Sequence, residues 1–332
     1  MDFKMLEDYW FVLCESKDVN KKPKSFKILS KDIAVYRTKK GEVVAFIDKC
    51  PHRNIPVSDG KICNGNLVCP FHGWEFNSEG KCVKVPGMME KEEIKAPKLR
   101  KYEILEEEGF VWIRLNSRSK FTRPYIPTHI NDSNYVSTTF RTHLGCSMID
   151  IAENFLDPFH TPFVHAGIIR TEAKRYRNVI TPTLTEDGLE VLYIKDKPQS
   201  GFIAKFGPEV NKDLGRFRMP GIIELEYYSK EHLEFVNTMY ITPRTETDSS
   251  IYFKASLRPY KIPVPLVFAI AGYAIKFALN QDKFILEKQT EMVKKYGQAF
   301  ANTELDIVRK QLEYFYDGSG KVVEFKTLEA MI

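Results

Sequence analysis

The chain has 332 residues, of which 43% are hydrophobic and 13% aromatic, and its formal net charge is +5. This length exceeds one typical hydrophobic core and predicts about two domains, and the composition excludes a disordered chain. The basic residues are scattered without an Arg-rich or aromatic-interleaved stripe, so we expect no nucleic acid partner.

The N-terminal segment MDFKMLEDYWFVLCESKDV carries acidic side chains. It lacks a long apolar core followed by a small-residue cleavage site, so it does not have the pattern of a secretory signal. The six cysteines of the chain are too sparse for a disulfide framework. We therefore expect a cytoplasmic protein whose cysteines serve another purpose.

Short strands are predicted up to residue 115. The runs IAVYR and VVAFI flank the turn TKKGE, and the runs YEIL and FVWIRL flank the turn EEEG. This spacing is typical of a small all-β unit. We predict an N-terminal all-β domain over residues 1–120.

A polar stretch with two prolines, NSRSKFTRPYIPTHIN, follows and predicts a connection between domains. Beyond it, strand-like runs (GLEVLYIK, EFVNTMYI and SIYFKASL) mix with helical patterns before His165 and from Leu266 to Tyr316. The second domain, residues 121–332, is therefore predicted to be α+β.

The most apolar run is Ile262–Ile275, IPVPLVFAIAGYAI. Its fourteen residues are too few to span a bilayer, which takes about 20 residues, so we expect no membrane span. The run favours a buried helix, and contact with a membrane surface or a lipid-like substrate is the alternative.

Two loop segments of the first domain each pair a cysteine with a histidine: Cys50 with His52, and Cys69 with His72. A zinc site of two cysteines and two histidines usually has two to four residues between its cysteines and three to five between its histidines, which is not the spacing here. One thiolate and one imidazole in each of two loops suit a two-iron cluster in which the cysteines hold one iron and the histidines hold the other. This is the Rieske [2Fe-2S] arrangement.

The second domain contains AENFLDPFHTPFVH, residues 152–165. Asp157 and His160 share one face of a helix, whereas His160 and His165 do not. Pro162 disrupts a helix between the two histidines, and a bend there would bring both imidazoles to one metal. Two neutral imidazoles and one carboxylate form the facial triad of non-haem Fe(II) oxygenases, so a third ligand is expected from elsewhere in the chain.

The two motifs together resemble those of the Rieske non-haem iron (aromatic ring-hydroxylating) oxygenase α-subunits. The resemblance rests on CPHR from Cys50, on CPFHGW from Cys69, and on the pattern Glu-x3-Asp-x2-His-x4-His that starts at Glu153. One departure is Asn54, where the family usually has glycine after the arginine. Asparagine tolerates a left-handed backbone, so we expect the loop to be preserved.

The resemblance implies a role for each matched residue. His160 and His165 would bind the mononuclear Fe(II), and Asp157 would connect this iron to a Rieske histidine of a neighbouring subunit. For the third ligand it offers an aspartate on a C-terminal helix, which Asp282 matches because Ile275, Ile285 and Leu286 follow helical spacing around it. Glu287 or another carboxylate is the alternative.

Side chains next to these ligands are assigned to the substrate pocket or to the immediate surroundings of the iron. They are Asn154, Phe155, Leu156, Phe163 and Val164.

The resemblance implies a terminal oxygenase: NAD(P)H would reduce a separate reductase, directly or through a ferredoxin, because the chain has no GxGxxG nucleotide fingerprint and no plant-type cluster spacing. Electrons would enter the Rieske cluster, leave through His72 and reach the iron of a neighbouring subunit in a homotrimer. Dioxygen would there be used to hydroxylate or oxidatively demethylate a small, hydrophobic or aromatic molecule.

A single compact chain is similar to the vanillate and dicamba monooxygenase group, and we favour monooxygenation. A cis-dihydroxylating dioxygenase is the alternative. A Rieske electron carrier or a binding protein with an inactive second domain is a further one, which the presence of His160, His165 and Asp282 argues against.

Overall fold

The computed structural model describes residues 2–89, 92–172, 175–197, 209–259, 264–317 and 326–332, without the side chains of residues 131, 264–271 and 274. The chain forms two compact units. One is Phe3–Pro124, and the other is Tyr125–Ile332 together with the first two residues.

The N-terminal unit is built on a six-stranded antiparallel sheet in the order β1-β10-β9-β4-β3-β2. A short helix, α1 (Phe3–Leu6), precedes it. The strands of this sheet are β1 (Phe11–Glu15), β2 (Lys24–Ile28), β3 (Lys31–Arg37), β4 (Val43–Ile47), β9 (Lys101–Glu107) and β10 (Phe110–Arg114). The predicted turns TKKGE and EEEG join β3 to β4 and β9 to β10, which confirms the all-β reading of this part of the chain.

A second, four-stranded antiparallel sheet in the order β5-β6-β7-β8 completes this unit. Its strands are β5 (Lys61–Cys63), β6 (Asn66–Val68), β7 (Glu75–Phe76) and β8 (Cys82–Lys84). One cysteine–histidine segment lies between β4 and β5, and the other joins β6 to β7. Both cysteines belong to a hydrophobic core cluster that includes Phe46, Leu67 and Phe76. The β scaffold therefore anchors both loops at their cysteines.

The C-terminal unit has an eight-stranded antiparallel sheet in the order β11-β17-β16-β15-β14-β13-β12-β18. Its strands are β11 (Val136–Leu144), β12 (Arg177–Thr185), β13 (Gly188–Lys195), β14 (Lys212–Arg218), β15 (Ile222–Ser229), β16 (His232–Thr245), β17 (Asp248–Leu257) and β18 (Leu328–Met331). The helices are α2 (Met148–Leu156), α3 (Thr161–Val164), α4 (Val264–Tyr296) and α5 (Arg309–Asp317). This confirms the predicted α+β class.

The helices cover one face of this sheet. The ring of Phe155 on α2 meets Phe253 on β17 edge to face, with the centroids 6.0 Å apart. Phe217 on β14 contacts Tyr316 on α5 in the same manner at 5.9 Å. Side chains alternate between the two faces of a strand, so the helix-facing side can be followed across the sheet from these contacts. The helix-facing side is thus the side of the sheet that carries Phe253 and Phe217.

The apolar run Ile262–Ile275 lies partly outside the described residues. Its backbone is helical from Val264 onward, as the start of α4, but most of its side chains are not described, so its predicted burial stays a prediction. No helix among the described residues is both long and apolar enough to cross a membrane.

Candidate metal centres

The two cysteine–histidine loops have the same backbone hydrogen bonds. The Cys50 N–H donates to Ile55 O, and the Asn54 N–H donates to Cys50 O, both at 2.9 Å. In the second loop the Cys69 N–H donates to Trp74 O at 2.9 Å, and the Gly73 N–H donates to Cys69 O at 3.1 Å. The sequence thus builds one loop geometry twice, with a cysteine at the start of each.

Asn54 and Gly73 occupy equivalent positions in these loops, and both have a left-handed backbone, with φ of 59° and 68°. A side chain at Gly73 would also come within 3.0 Å of the Pro86 ring. Asn54 is exposed, so the first loop has room for a side chain at that position. The expectation that asparagine replaces glycine without loss of the loop is confirmed.

The cysteines lie inside and the histidines lie toward the surface. Cys50 and Cys69 are buried, whereas His72 is exposed and His52 is partly exposed. Burial, with the Cys69 thiol as a neighbour, raises the pKa of Cys50 to about 11. The Cys50 thiol therefore stays protonated at neutral pH unless a metal replaces its proton, and the buried Cys69 sulfur lies beside it as a second ligand.

The two imidazoles lie side by side at the tip of the loops. Their ring centroids are 4.6 Å apart, and the His52 ring stacks on Trp74 at 4.5 Å with an angle of 5° between the planes. The Phe71 ring, 60% exposed, lies against His72 at 3.9 Å. The ring of His52 is thereby fixed from one side, and His72 is the more accessible of the pair.

A second donor set lies in the C-terminal unit and brings together His160, His165 and Asp282. One ligand atom from each lies within 4.8 Å of the other two. The Nε2 atoms of His160 and His165 are 3.5 and 3.0 Å from Asp282 Oδ1. Among the described residues, no other group of three histidine, cysteine or carboxylate side chains meets this distance. Two imidazoles and a carboxylate are the donors of a facial triad.

Hydrogen bonds at Nδ1 orient both rings. His160 Nδ1 is 2.7 Å from Asp157 O, and His165 Nδ1 is 3.1 Å from Gln281 Oε1. A carbonyl oxygen only accepts, so each Nδ1 carries the proton and each Nε2 presents its lone pair toward Asp282. This outer contact is typical of metal-ligating histidines.

The pKa values of the two histidines differ because their neighbours differ. Burial lowers the pKa of His160 to about 4, which leaves a neutral imidazole at pH 7. Burial also acts to lower the pKa of His165, but the adjacent Asp282 carboxylate outweighs it and raises the pKa.

Asp282 is 4% exposed, and its Oδ1 has no hydrogen-bond partner. A buried carboxylate oxygen without a partner is costly, and a cation between it and the two imidazoles would compensate for that cost. The three side chains therefore fit a metal ion. Glu287, the alternative ligand, instead accepts a hydrogen bond from the Gly145 N–H at 2.9 Å.

The helical environment of Asp282 was predicted only in part. Ala278, Leu279 and Leu286 are buried on the same side of α4 as Asp282. Ile285, which was expected to face inward, is 43% exposed. It follows Asp282 by three residues, but the buried stripe follows the spacing of four from Ala278 through Asp282 to Leu286.

The helix break in this segment lies at Pro158, before both histidines, and not at Pro162 as predicted. Helix α2 ends at Leu156, and a short 3₁₀ turn, Pro158–His160, follows before α3. Pro158 stops α2 because a residue before proline disfavours the helical backbone, and Asp157 is extended, with φ −97° and ψ 110°. Pro162 lies in the first turn of α3, where its missing N–H costs no helical hydrogen bond.

The side chain of Asp157 caps the 3₁₀ turn by accepting a hydrogen bond from the Phe159 N–H at 2.8 Å. Burial raises the pKa of this carboxyl group to about 6. It lines a surface depression whose other walls are Glu153, Phe159, Tyr193, Leu305, Asp306, Ile307 and Val308. Asp157 is thus held next to His160 while its side chain faces a recess.

The five predicted pocket residues lie in different environments. Leu156 is buried beside Gly215 on β14, and Phe155 lies against Phe253. Phe163 is 55% exposed, and Val164 is half-buried. Asn154 has a buried Nδ2 without a hydrogen-bond partner. Their contribution to a substrate pocket stays a prediction.

Sequence reasoning missed the buried charges that hold the histidine turn. Arg170, 7% exposed, donates through Nη1 to Pro158 O at 3.3 Å and to Thr161 Oγ1 at 3.2 Å. Its Nη2 lies 3.8 Å from Asp213 Oδ2, and Asp213 also pairs with Lys195 at 2.5 Å. These residues lie far apart in the sequence and match no motif, so no local signal indicates them.

Comparisons with known proteins agree with this division into two centres. The Rieske [2Fe-2S] domain family matches residues 9–110, and the vanillate O-demethylase oxygenase C-terminal domain family matches residues 144–311. The chain is 26% identical over 298 residues to the oxygenase component of dicamba O-demethylase from Stenotrophomonas maltophilia, covering 84% of this chain and 86% of that protein.

The chain is also 28% identical over 225 residues to protein TIC 55 of Arabidopsis thaliana chloroplasts, covering 65% of this chain but only 40% of that relative. It therefore spans less than half of that protein. The crystal structure of dicamba monooxygenase bound to dicamba has the same fold, with a TM-score of 0.78 and 23% identity over 93% of this chain and 95% of that one.

Proposed function

The chain belongs to the Rieske oxygenases with a catalytic domain of the vanillate O-demethylase type, and on that premise we propose that it is the terminal oxygenase of a reductase-fed system. The observation that carries this proposal is the buried set of His160, His165 and Asp282 in the same chain as two Rieske loops. An electron carrier would need only the loops.

Cys50, His52, Cys69 and His72 hold the [2Fe-2S] cluster in this proposal, and His160, His165 and Asp282 hold a mononuclear Fe(II). When bound, the cluster relays single electrons, and the Fe(II) supplies the open positions at which dioxygen and substrate react. Support comes from the buried thiols of the loops and from the unpartnered Oδ1 of Asp282.

The protein groups around the mononuclear site orient its donors. The Asp157 carbonyl and the Gln281 amide oxygen keep the Nδ1 protons of the two histidines in place, so that both Nε2 atoms stay available. Arg170 fixes the turn between Pro158 and Thr161. The ligands therefore need little rearrangement to bind a metal, which favours a stable site.

Electron transfer between copies of the chain is the next step of the proposal. His72 is exposed at the tip of one unit, and the Asp157 side chain lines a recess in the other. We place His72 of one copy in a hydrogen bond with Asp157 of a neighbouring copy. When the Rieske cluster of each copy serves the iron of the next copy, the copies form a closed ring, and we propose a homotrimer.

The reaction that we favour is hydroxylation or oxidative demethylation of a small hydrophobic or aromatic molecule, with one oxygen atom incorporated. It is supported by the similarity to the dicamba O-demethylase oxygenase component over most of both chains. Cis-dihydroxylation remains the second candidate. The electron donor is a separate reductase or ferredoxin.

A turnover experiment tests the proposal. The purified protein, loaded with cluster and Fe(II), is supplied with NADH and a reductase that reduces its Rieske cluster, and oxygen consumption is measured with candidate substrates. Substrate-dependent consumption is expected, with one ¹⁸O atom from ¹⁸O₂ in a hydroxylated product or in the formaldehyde released by demethylation. Two ¹⁸O atoms would favour dihydroxylation. A cluster that is reduced and reoxidised without substrate-dependent consumption would contradict an oxygenase.

A further inference from the structure

Asn237 lies in the middle of β16 on the helix-facing side of the catalytic sheet. Its neighbours across the sheet are Leu225 on β15 and Ala255 on β17. Ala255 is two residues from Phe253, whose ring meets Phe155 on α2. Leu225 lies beside Gly215, the position that also faces Leu156. Asn237 therefore points to the face of the sheet that is covered by the helices. The segments that carry His160, His165 and Asp282 lie on this face.

The side chain of Asn237 is 9% exposed, and its amide oxygen is buried without a hydrogen-bond partner. A buried amide without its hydrogen bonds is costly, so such groups in native proteins usually face a bound water or a ligand. The other asparagine in this sheet, Asn178, also has a buried oxygen without a partner, but its Nδ2 donates to Tyr176 O at 2.8 Å. Among the described residues, Asn237 makes no such hydrogen bond.

The surroundings of Asn237 are apolar. Along its own strand the same side is occupied by Phe235 and Met239, and across the strands it is occupied by Leu225 and Ala255. The Ala255 side chain is a single methyl group. Among these neighbours in the sheet, a ligand beside the amide would meet apolar side chains and one polar group.

The charged side chains on this side of the sheet are already paired. They are Asp213 and Lys195, which lie 2.5 Å apart, and Arg170 approaches the same aspartate. On α4 the buried residues next to Asp282 are Ala278, Leu279 and Leu286, and Thr290 is buried about two turns further on. Within the described parts of the chain, no unpaired cation on these surfaces is available to neutralise a carboxylate.

We propose that the Asn237 amide is the polar anchor of the substrate site, and that the substrate is a neutral, largely apolar molecule with a hydroxyl or carbonyl group. An amide can donate to a carbonyl and accept from a hydroxyl, so it suits either group. Because the described residues supply no unpaired cation here, we expect the anchored group to be uncharged. This inference rests on the proposed function, because it assigns the substrate class of that oxygenase.

The test uses matched ligands on three skeletons: toluene, p-cresol and p-toluate; naphthalene, 2-naphthol and 2-naphthoate; and cholestane, cholestanol and cholanic acid. Binding to the anaerobic Fe(II) protein is measured by calorimetry and by the shift of its nitric oxide EPR signal. In the skeleton that fits, the alcohol or phenol is expected to bind at least tenfold more tightly than both the hydrocarbon and the carboxylate. A preferred carboxylate, or no preference in any skeleton, overturns the inference.

Asn237→Leu tests the residue itself, because leucine has a similar size and no hydrogen-bonding group. The alcohol is expected to lose at least tenfold in affinity, while the hydrocarbon binds as well or better, so that the preference disappears. Asn178→Leu, which removes another buried amide elsewhere in the sheet, should leave the preference unchanged. Unchanged affinities in Asn237→Leu mean that a buried water satisfies the amide, and they overturn the inference.

Two further measurements separate this inference from the proposed function. Thermal unfolding identifies a variant that fails to fold, and Asn237→Ala, which also lacks a hydrogen-bonding side chain, then replaces it, with the same loss of preference expected. A nitric oxide signal in the wild-type protein without any ligand preference overturns the anchor alone. Absence of the nitric oxide signal from iron-loaded wild-type protein contradicts the proposed oxygenase as well.

Discussion

Replacing Arg170 by methionine should weaken the mononuclear site from outside its ligand set. The guanidinium donates to Pro158 O and to Thr161 Oγ1, which flank His160. Hydrogen bonds from a charged group contribute about 1.5–3 kcal/mol each, and at 3.2–3.3 Å these two belong at the weak end. Asp213 keeps Lys195 as its partner, so no carboxylate is left unpaired. We expect a loss of roughly 3 kcal/mol.

For a unit of this size, roughly 3 kcal/mol corresponds to a decrease in Tm of about 6–12 °C. We expect the mononuclear iron content to decrease as well, because the turn that carries His160 is released. The visible absorption of the Rieske cluster should not change, since Arg170 belongs to the other unit. Iron analysis, thermal unfolding and absorption spectroscopy of the loaded protein measure all three effects.

Arg177→Met is a matched control. Arg177 is exposed and pairs with the exposed Glu329, and such surface pairs contribute about 0–1 kcal/mol. Both the Tm and the iron content of this variant should stay near those of the wild type. If Arg170→Met behaves like Arg177→Met, the buried guanidinium does not hold the turn and the reasoning is wrong.

Three other variants probe separate parts of the structure. Asp157→Asn should keep both metal centres but nearly abolish turnover, because the carboxylate that connects the centres is lost; a normal rate would remove that role. Asp282→Ala should lose the mononuclear iron and keep the Rieske spectrum. Unchanged iron content would contradict Asp282 as the third ligand and favour Glu287. Burial raises the pKa of Glu224 from 4.5 to about 7. The folded state therefore binds more protons than the unfolded state in that window, and stability falls as the pH rises through it. Glu224→Gln should be more stable than the wild type by up to roughly 3 kcal/mol at pH 8 and equal to it near pH 4, as denaturant unfolding at both pH values can show; equal stability at both would contradict the shift.

The Rieske loops could be predicted from the sequence because their chemistry is local. Four ligands lie within Cys50–His72, and one backbone geometry accounts for the position of each. Even the departure at Asn54 could be interpreted, since asparagine is one of the few residues that adopt its observed φ of 59°.

The bend before His160 shows the limit of local reasoning. The sequence offers two prolines in this segment, and either could end a helix. Pro158 does so, because it follows the extended Asp157, whereas Pro162 fits into the first turn of the next helix. Which proline acts depends on where the helix stops relative to the sheet, and that is a matter of tertiary packing.

Residues that meet only through the fold could not be found from the sequence. Arg170, Asp213 and Lys195 come from a loop and two adjacent strands, and a solvated surface would explain each of them equally well in isolation. Asn237 likewise has no motif. Its assignment as an anchor depends on the register of β16 and on its missing hydrogen bond, and both are properties of the folded chain.

The central claim is that this chain holds an iron at which dioxygen binds, in addition to its Rieske cluster. EPR of the anaerobic Fe(II) protein exposed to nitric oxide, a substitute for dioxygen, tests it most directly. We predict a nitrosyl signal in the wild type that is absent from Asp282→Ala, with the reduced Rieske signal intact in both. No nitrosyl signal from iron-replenished wild-type protein with an intact Rieske signal would contradict the claim and leave an electron carrier or a binding protein.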